Sequence, residues 1–131
     1  MDHDLTFKTA VIHAIKSTIR QGRQSVDTNG GECMLRGADG DCCTIGFMIK
    51  DTIYTKNLED LTPKDGTLIR AIILSLGIDS LSDDQKVLLT TLQSAHDFPG
   101  SLIDFVESYT DTIKYLVESG ELPDWILGAM Y

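Results

Sequence analysis

The chain has 131 residues, of which 42% are hydrophobic and 24% charged, with a formal net charge of −9. That length holds one core and not two, the apolar share excludes general disorder, and no run approaches the ~20 consecutive apolar residues of a membrane helix. The opening Met1-Asp2-His3-Asp4 has two acids and no apolar stretch, so no secretory leader is expected, and three cysteines then point to a reducing cytoplasm and not to a disulfide scaffold.

Asp4 to Gln21 reads as a helix, because Leu5, Val11, Ile12, Ile15 and Ile19 recur at spacings of three, four and seven. Gly22 stops it. Ser25 to Gly31 is a loop. Glu32 to Gly46 reads as a β-hairpin, 32–36 paired with 41–45 around the turn Gly37-Ala38-Asp39-Gly40. A four-residue turn there sets Cys33 opposite Thr44. Phe47-Met48-Ile49 begins a short helix or finishes the strand, and Asp51 to Asp60 is a connector.

Thr62-Pro63 opens a second helix that runs to Leu76, with Gly77 beyond it. Ser82 and Gln85 match a capping box, so a third helix runs from there to about Asp97 and turns Leu88, Leu92 and Ala95 inward. Pro99-Gly100 breaks the chain. Ser101 caps a fourth helix to Gly120, with the stripe Leu102, Phe105, Val106, Tyr109, Ile113, Leu116 and Val117. Pro123-Asp124 starts a last turn or short helix carrying Trp125, Ile126, Met130 and Tyr131. An end this apolar either closes the core or makes a homodimer contact. The expected architecture is a single domain over 1–131, mainly α with four to five helices and a small β-hairpin near 32–45.

Residues 1–50 hold six acids and six bases, whereas 51–131 hold fourteen acids and five bases. The polar side of the fourth helix carries Asp104, Glu107, Asp111, Lys114 and Glu118, and Asp83 and Asp84 open the third. Such a field repels nucleic-acid backbones and membrane surfaces and attracts basic surfaces. It serves either as a solubilising face or as a docking face for a basic partner.

Catalytic signals are sparse. Cys33, Cys42, Cys43 and His96 do not have metal-ligand spacing, since there is no C-x-x-C and adjacent cysteines in a strand point to opposite faces. The enzyme reading takes Cys33 or Cys43 as a nucleophile activated by His96, with Asp97 or Asp51 orienting it. The competing reading makes the cysteines small buried hydrophobes, and Gln93 to Asp97 a polar helix end bonded to neighbouring loops. Arg36 pairs with Asp41, Asp51 or Glu59. Gly37, Gly40 and Gly46 match no nucleotide-binding fingerprint, and no basic stripe with interleaved aromatics is present, so neither a cofactor nor direct nucleic-acid binding is expected.

The hairpin residues, Cys33-Met34-Leu35-Arg36-Gly37-Ala38-Asp39-Gly40 followed by Cys43-Thr44-Ile45-Gly46-Phe47-Met48-Ile49-Lys50-Asp51 and Tyr54, resemble a pattern of small phage and prophage proteins. That pattern is roughly C-x-Y-R-G-x-x-G-x-x-C-A-x-G-x-L-I-x-D-x-x-Y. Gln21-Gly22-Arg23-Gln24-Ser25 and the Leu88 to Asp97 segment resemble two further parts of it, in the same order. Leu35, Thr44 and Lys50 depart from it, and the acidic helix has no counterpart there. The resemblance marks Arg36, Gly37, Gly40, Asp51, Tyr54 and His96 as motif residues. It implies an accessory protein of a phage or mobile element, a kind that often acts by binding and blocking a host protein, defence systems such as CRISPR included. The resulting expectation is a non-enzymatic inhibitor that meets the basic groove of a host protein with Asp83, Asp84, Asp104, Glu107, Asp111 and Glu118, possible nucleic-acid mimicry included. A thiol enzyme and a self-associating module are the alternatives.

Overall fold

Helices dominate because the sequence supplies both their apolar faces and their ends. A computed structural model describes residues 3–26, 34–37, 40–97 and 104–130. Among these, α1 spans His3–Gln21, α2 Gly66–Leu76, α3 Asp83–Asp97 and α4 Phe105–Glu118, with 3-10 turns at Gly46–Met48, Lys56–Leu58 and Asp124–Met130. Glu32, Cys33, Ala38 and Asp39 of the expected hairpin lie outside the described residues, as do Pro99, Gly100, Ser101, Leu102 and Tyr131.

The start of α3 is a complete capping box. Ser82 Oγ accepts from Gln85 N–H at 3.1 Å, and Gln85 Oε1 accepts from Ser82 N–H at 2.8 Å. Two other helix starts differ from expectation. Residues 62–65 form a turn of their own, in which the Asp65 carboxylate accepts from Thr62 N–H at 2.8 Å, so α2 begins three residues after Pro63. The α4 N-cap is Asp104, whose Oδ1 accepts from Glu107 N–H at 3.3 Å.

The expected β-hairpin is not formed. No strand occurs among the described residues, and an isolated antiparallel bridge joins Arg36 to Cys42, a residue off the expected register. The cause lies in the backbone after Cys42. Ile45 takes a helical conformation, and the chain winds into a 3-10 turn through Phe47 N–H to Cys43 O (3.1 Å) and Met48 N–H to Ile45 O (2.9 Å). Cys43, Ile45, Met48 and Ile49 are thus buried by a turn and not by strand alternation.

Side chains replace the missing ladder. The Gln21 amide bonds Cys42 in both directions, donating to its carbonyl and accepting from its N–H, each at 2.9 Å. The Glu59 carboxylate accepts from Leu35 N–H (2.8 Å) and Arg36 N–H (3.1 Å). Buried backbone groups need partners of some kind, and here carboxylate and amide side chains supply them.

The core gathers around Phe7, Val11 and Ile15 of α1, Ile72 of α2, Leu89 and Leu92 of α3, Tyr109 and Ile113 of α4, and Ile45 of the turn. A buried hydroxyl chain crosses it. Thr18 and Thr44 hydroxyls lie 2.9 Å apart, Thr44 Oγ1 and Tyr109 Oη 2.7 Å apart, and Thr18 Oγ1 donates to Ala14 O at 2.8 Å. The Asp124–Met130 turn packs on α1 and α4 and buries Ile126 completely. Ile126 is therefore spent within the chain, while Trp125 and Met130 stay half-buried.

Candidate functional site

The motif residues meet in one knot of loops. Arg36 donates to the Asp51 carboxylate and to Ile49 O, and its guanidinium lies 5.1 Å from the centre of the Tyr54 ring. The Tyr54 hydroxyl donates to Glu59, the same carboxylate that holds Leu35 and Arg36. Asp41 goes to Arg23 instead, through two hydrogen bonds of 2.6 and 2.8 Å. Gly37 sits where a Cβ would lie 2.5 Å from Ser25 Oγ, and Gly46 where it would lie 2.1 Å from Leu35 O. Gly40 has a φ of +78° beside the Arg36–Cys42 bridge. These residues build the fold. Of their charged groups, Asp51 and Arg23 leave most of their side chains in solvent.

His96 closes the knot from below. It is fully buried, and both ring nitrogens are engaged: Nε2 accepts from Ser25 N–H at 3.2 Å, which leaves the proton on Nδ1, 2.8 Å from Asp97 Oδ1. Gln24 Nε2 donates to the last carbonyls of α3, His96 O at 2.9 Å and Asp97 O at 3.2 Å. Phe105 meets the imidazole edge-on at 5.7 Å and stacks on Tyr109.

Ser25 and Asp97 engage both ring nitrogens of His96, which leaves neither for Cys43. Cys43 is fully buried, its sulfur accepts from Gly46 N–H at 3.2 Å, and burial pushes its thiol up to about 12. Burial raises the Cys42 thiol as well, against the lowering effect of Arg36. A thiolate nucleophile needs the opposite shift. Cys33 lies outside the described residues. Among the described residues, no three His, Cys, Asp or Glu side chains converge as metal ligands. No helix among them is long and apolar enough to cross a membrane.

The acidic residues behave differently. Asp104, Glu107, Asp111 and Glu118 are all exposed on α4. At 3.6 residues per turn they fall within an arc of about 60° and span about 21 Å. No Lys or Arg nitrogen lies within 4 Å of any of the four among the described residues, although Lys114 stands on the same helix. Sequence reasoning overlooked Tyr115, which is 65% exposed and lies one turn from both Asp111 and Glu118. Its signal was an aromatic residue on the polar side of an amphipathic helix.

Asp83 and Asp84 are brought to the far end of this row. The first turn of α3 lies beside the segment that follows α4, and between them opens a groove of about 430 Å³. It is lined by Asp84, Val87 and Leu88 of α3, by Glu121, Leu122 and Pro123 after α4, and by Phe7, Lys8 and Trp125. Asp83 is fully exposed, with Lys86 4.0 Å away. No protein-family model, curated protein or solved structure matches this chain.

Proposed function

We propose that this chain is an accessory protein of phage type that binds a host or defence protein through a basic surface and inhibits it by occlusion. The row of unneutralised carboxylates on α4 carries this reading. Four acids held along one rigid helix, against the single base Lys114 on that helix and with no Lys or Arg nitrogen within 4 Å of them among the described residues, cost the free protein self-repulsion that a basic partner relieves. Tyr115 adds an aromatic anchor of the kind that concentrates binding energy at interface centres. The resemblance of the motif supports the phage context and says nothing about the contact, since its residues are spent inside the fold.

Nucleic-acid mimicry fits less well. The row holds about one charge per 7 Å, against one per ~3.4 Å along a DNA strand. The reading therefore favours a protein contact steered by charge and anchored by Tyr115.

Retention from host lysate on the tagged chain tests it. A specific partner should be held at about 0.1 M salt and released toward 1 M, as the screening length shrinks from ~10 to ~3 Å. It should also be lost from the Glu107→Lys/Asp111→Lys chain. A partner held equally at both salts and by both chains contradicts the proposal.

A further inference from the structure

The groove between α3 and the segment after α4 has a definite chemistry. Its lining is mixed: Val87, Leu122 and the Trp125 ring supply the apolar part, and Val87 is 60% exposed. Its volume lies in the range of ligand-sized pockets, ~300–1,000 Å³. Three carboxylates, Asp4, Asp84 and Glu121, stand against one ammonium, Lys8, which is already paired with Asp4 at 3.2 Å. Among the described residues, no Lys or Arg nitrogen lies within 4 Å of Asp84 or Glu121. The chain itself demonstrates the kind of group this surface accepts: Lys8 holds its ammonium 5.7 Å from the centre of the Trp125 ring.

We infer that this groove is an anchor pocket for a lysine or arginine side chain of the basic partner. The aliphatic stem lies on Val87, Leu122 and Trp125, and the cationic head meets the Asp84 and Glu121 carboxylates. Long basic side chains suit such a site because stem and head have opposite solvent preferences. The surplus of carboxylates excludes an anionic occupant, and a purely apolar one leaves Asp84 and Glu121 facing an apolar surface, with the Ser119 hydroxyl bonded to Glu121 at 3.1 Å as the compensation within the chain. The identity of the occupant as part of a protein rests on the function proposed above. The charge and shape of the pocket do not.

Trp125 is the only tryptophan in the chain, so its emission reports on the groove directly. The probe is an end-blocked hexapeptide of alternating arginine and leucine, with a glutamate–leucine hexapeptide as control. Titrated at low salt, the arginine peptide should change Trp125 emission saturably. In the Asp84→Asn/Glu121→Gln chain, which alters exposed groups only, affinity should fall at least tenfold while circular dichroism stays unchanged. In the Glu107→Gln/Asp111→Asn chain affinity should stay within twofold. An absent response, an equal response to the glutamate peptide, undiminished affinity in the groove variant, or equal losses in both variants overturns the assignment. Because the titration uses the isolated chain, its failure is distinct from failure of the α4 row to retain a partner.

Discussion

The loop knot and the α4 face treat charge in opposite ways. In the knot, Arg36 meets Asp51 and Tyr54, Arg23 meets Asp41, and Glu59 bonds two backbone amides and a phenol. Along α4, four carboxylates share one helix face, and among the described residues no Lys or Arg nitrogen lies within 4 Å of them. Polar groups bonded internally fix one conformation; charges left unpaired on a rigid scaffold remain available for another molecule. The motif residues are therefore spent on the architecture, and under the proposed function it is the acidic helix that meets the partner.

This contrast predicts a graded series of stability effects. The largest belongs to Gly46→Ala, because the new Cβ would stand 2.1 Å from Leu35 O, a backbone atom that cannot swing aside as the end of a side chain can. It should cost about 3 kcal/mol, read from the urea midpoint. Next comes Gln21→Ala, which strips partners from both backbone groups of Cys42 and should cost about 2 kcal/mol. A cost below about 0.5 kcal/mol for either would show that the knot does not hold the fold.

Alkaline pH probes the same interior. Cys43 stays protonated in the fold up to about 12, whereas its unfolded thiol ionises near 9.0. Between those values the unfolded state binds fewer protons, so stability falls as pH rises, on the order of 1 kcal/mol per pH unit. Burial raises the Tyr109 phenol too, which adds to the decline. Replacing Cys43 with Val should flatten the slope. At pH 7.5 a thiol reagent should label Cys43 only after denaturation, and rapid labelling of the native chain would revive the nucleophile reading.

Helix positions were legible in sequence where side chains make local signals. The Ser82–Gln85 box acts over a few residues and is found in the structure as spaced in the chain, whereas of the α1 stripe Val11 and Ile15 are buried, Ile12 and Ile19 partly so, and Leu5 is 61% exposed, with Phe7, Ala14 and Thr18 completing the inner face. The hairpin misled because Cys, Met, Leu and Arg followed by a glycine-rich turn satisfy a strand pattern equally well. What decided against strands was the close crossing of Gly46 over Leu35 and the long-range reach of Gln21 and Glu59, none of which has a local signature. The acidic residues were visible as composition. The groove was not, because it joins residues near 4–8, 84–88 and 120–125 that only folding brings together.

The smallest stability effect, and the most direct test, falls on the α4 row. The chain carrying Glu107→Gln, Asp111→Asn and Glu118→Gln removes three exposed charges and leaves the Asp104 cap in place. Its unfolding midpoint and its capture of a host protein should be measured side by side with the parent. The account predicts a stability change of less than about 1 kcal/mol together with loss of the captured protein. Capture at parental strength by a folded, neutralised chain would contradict it.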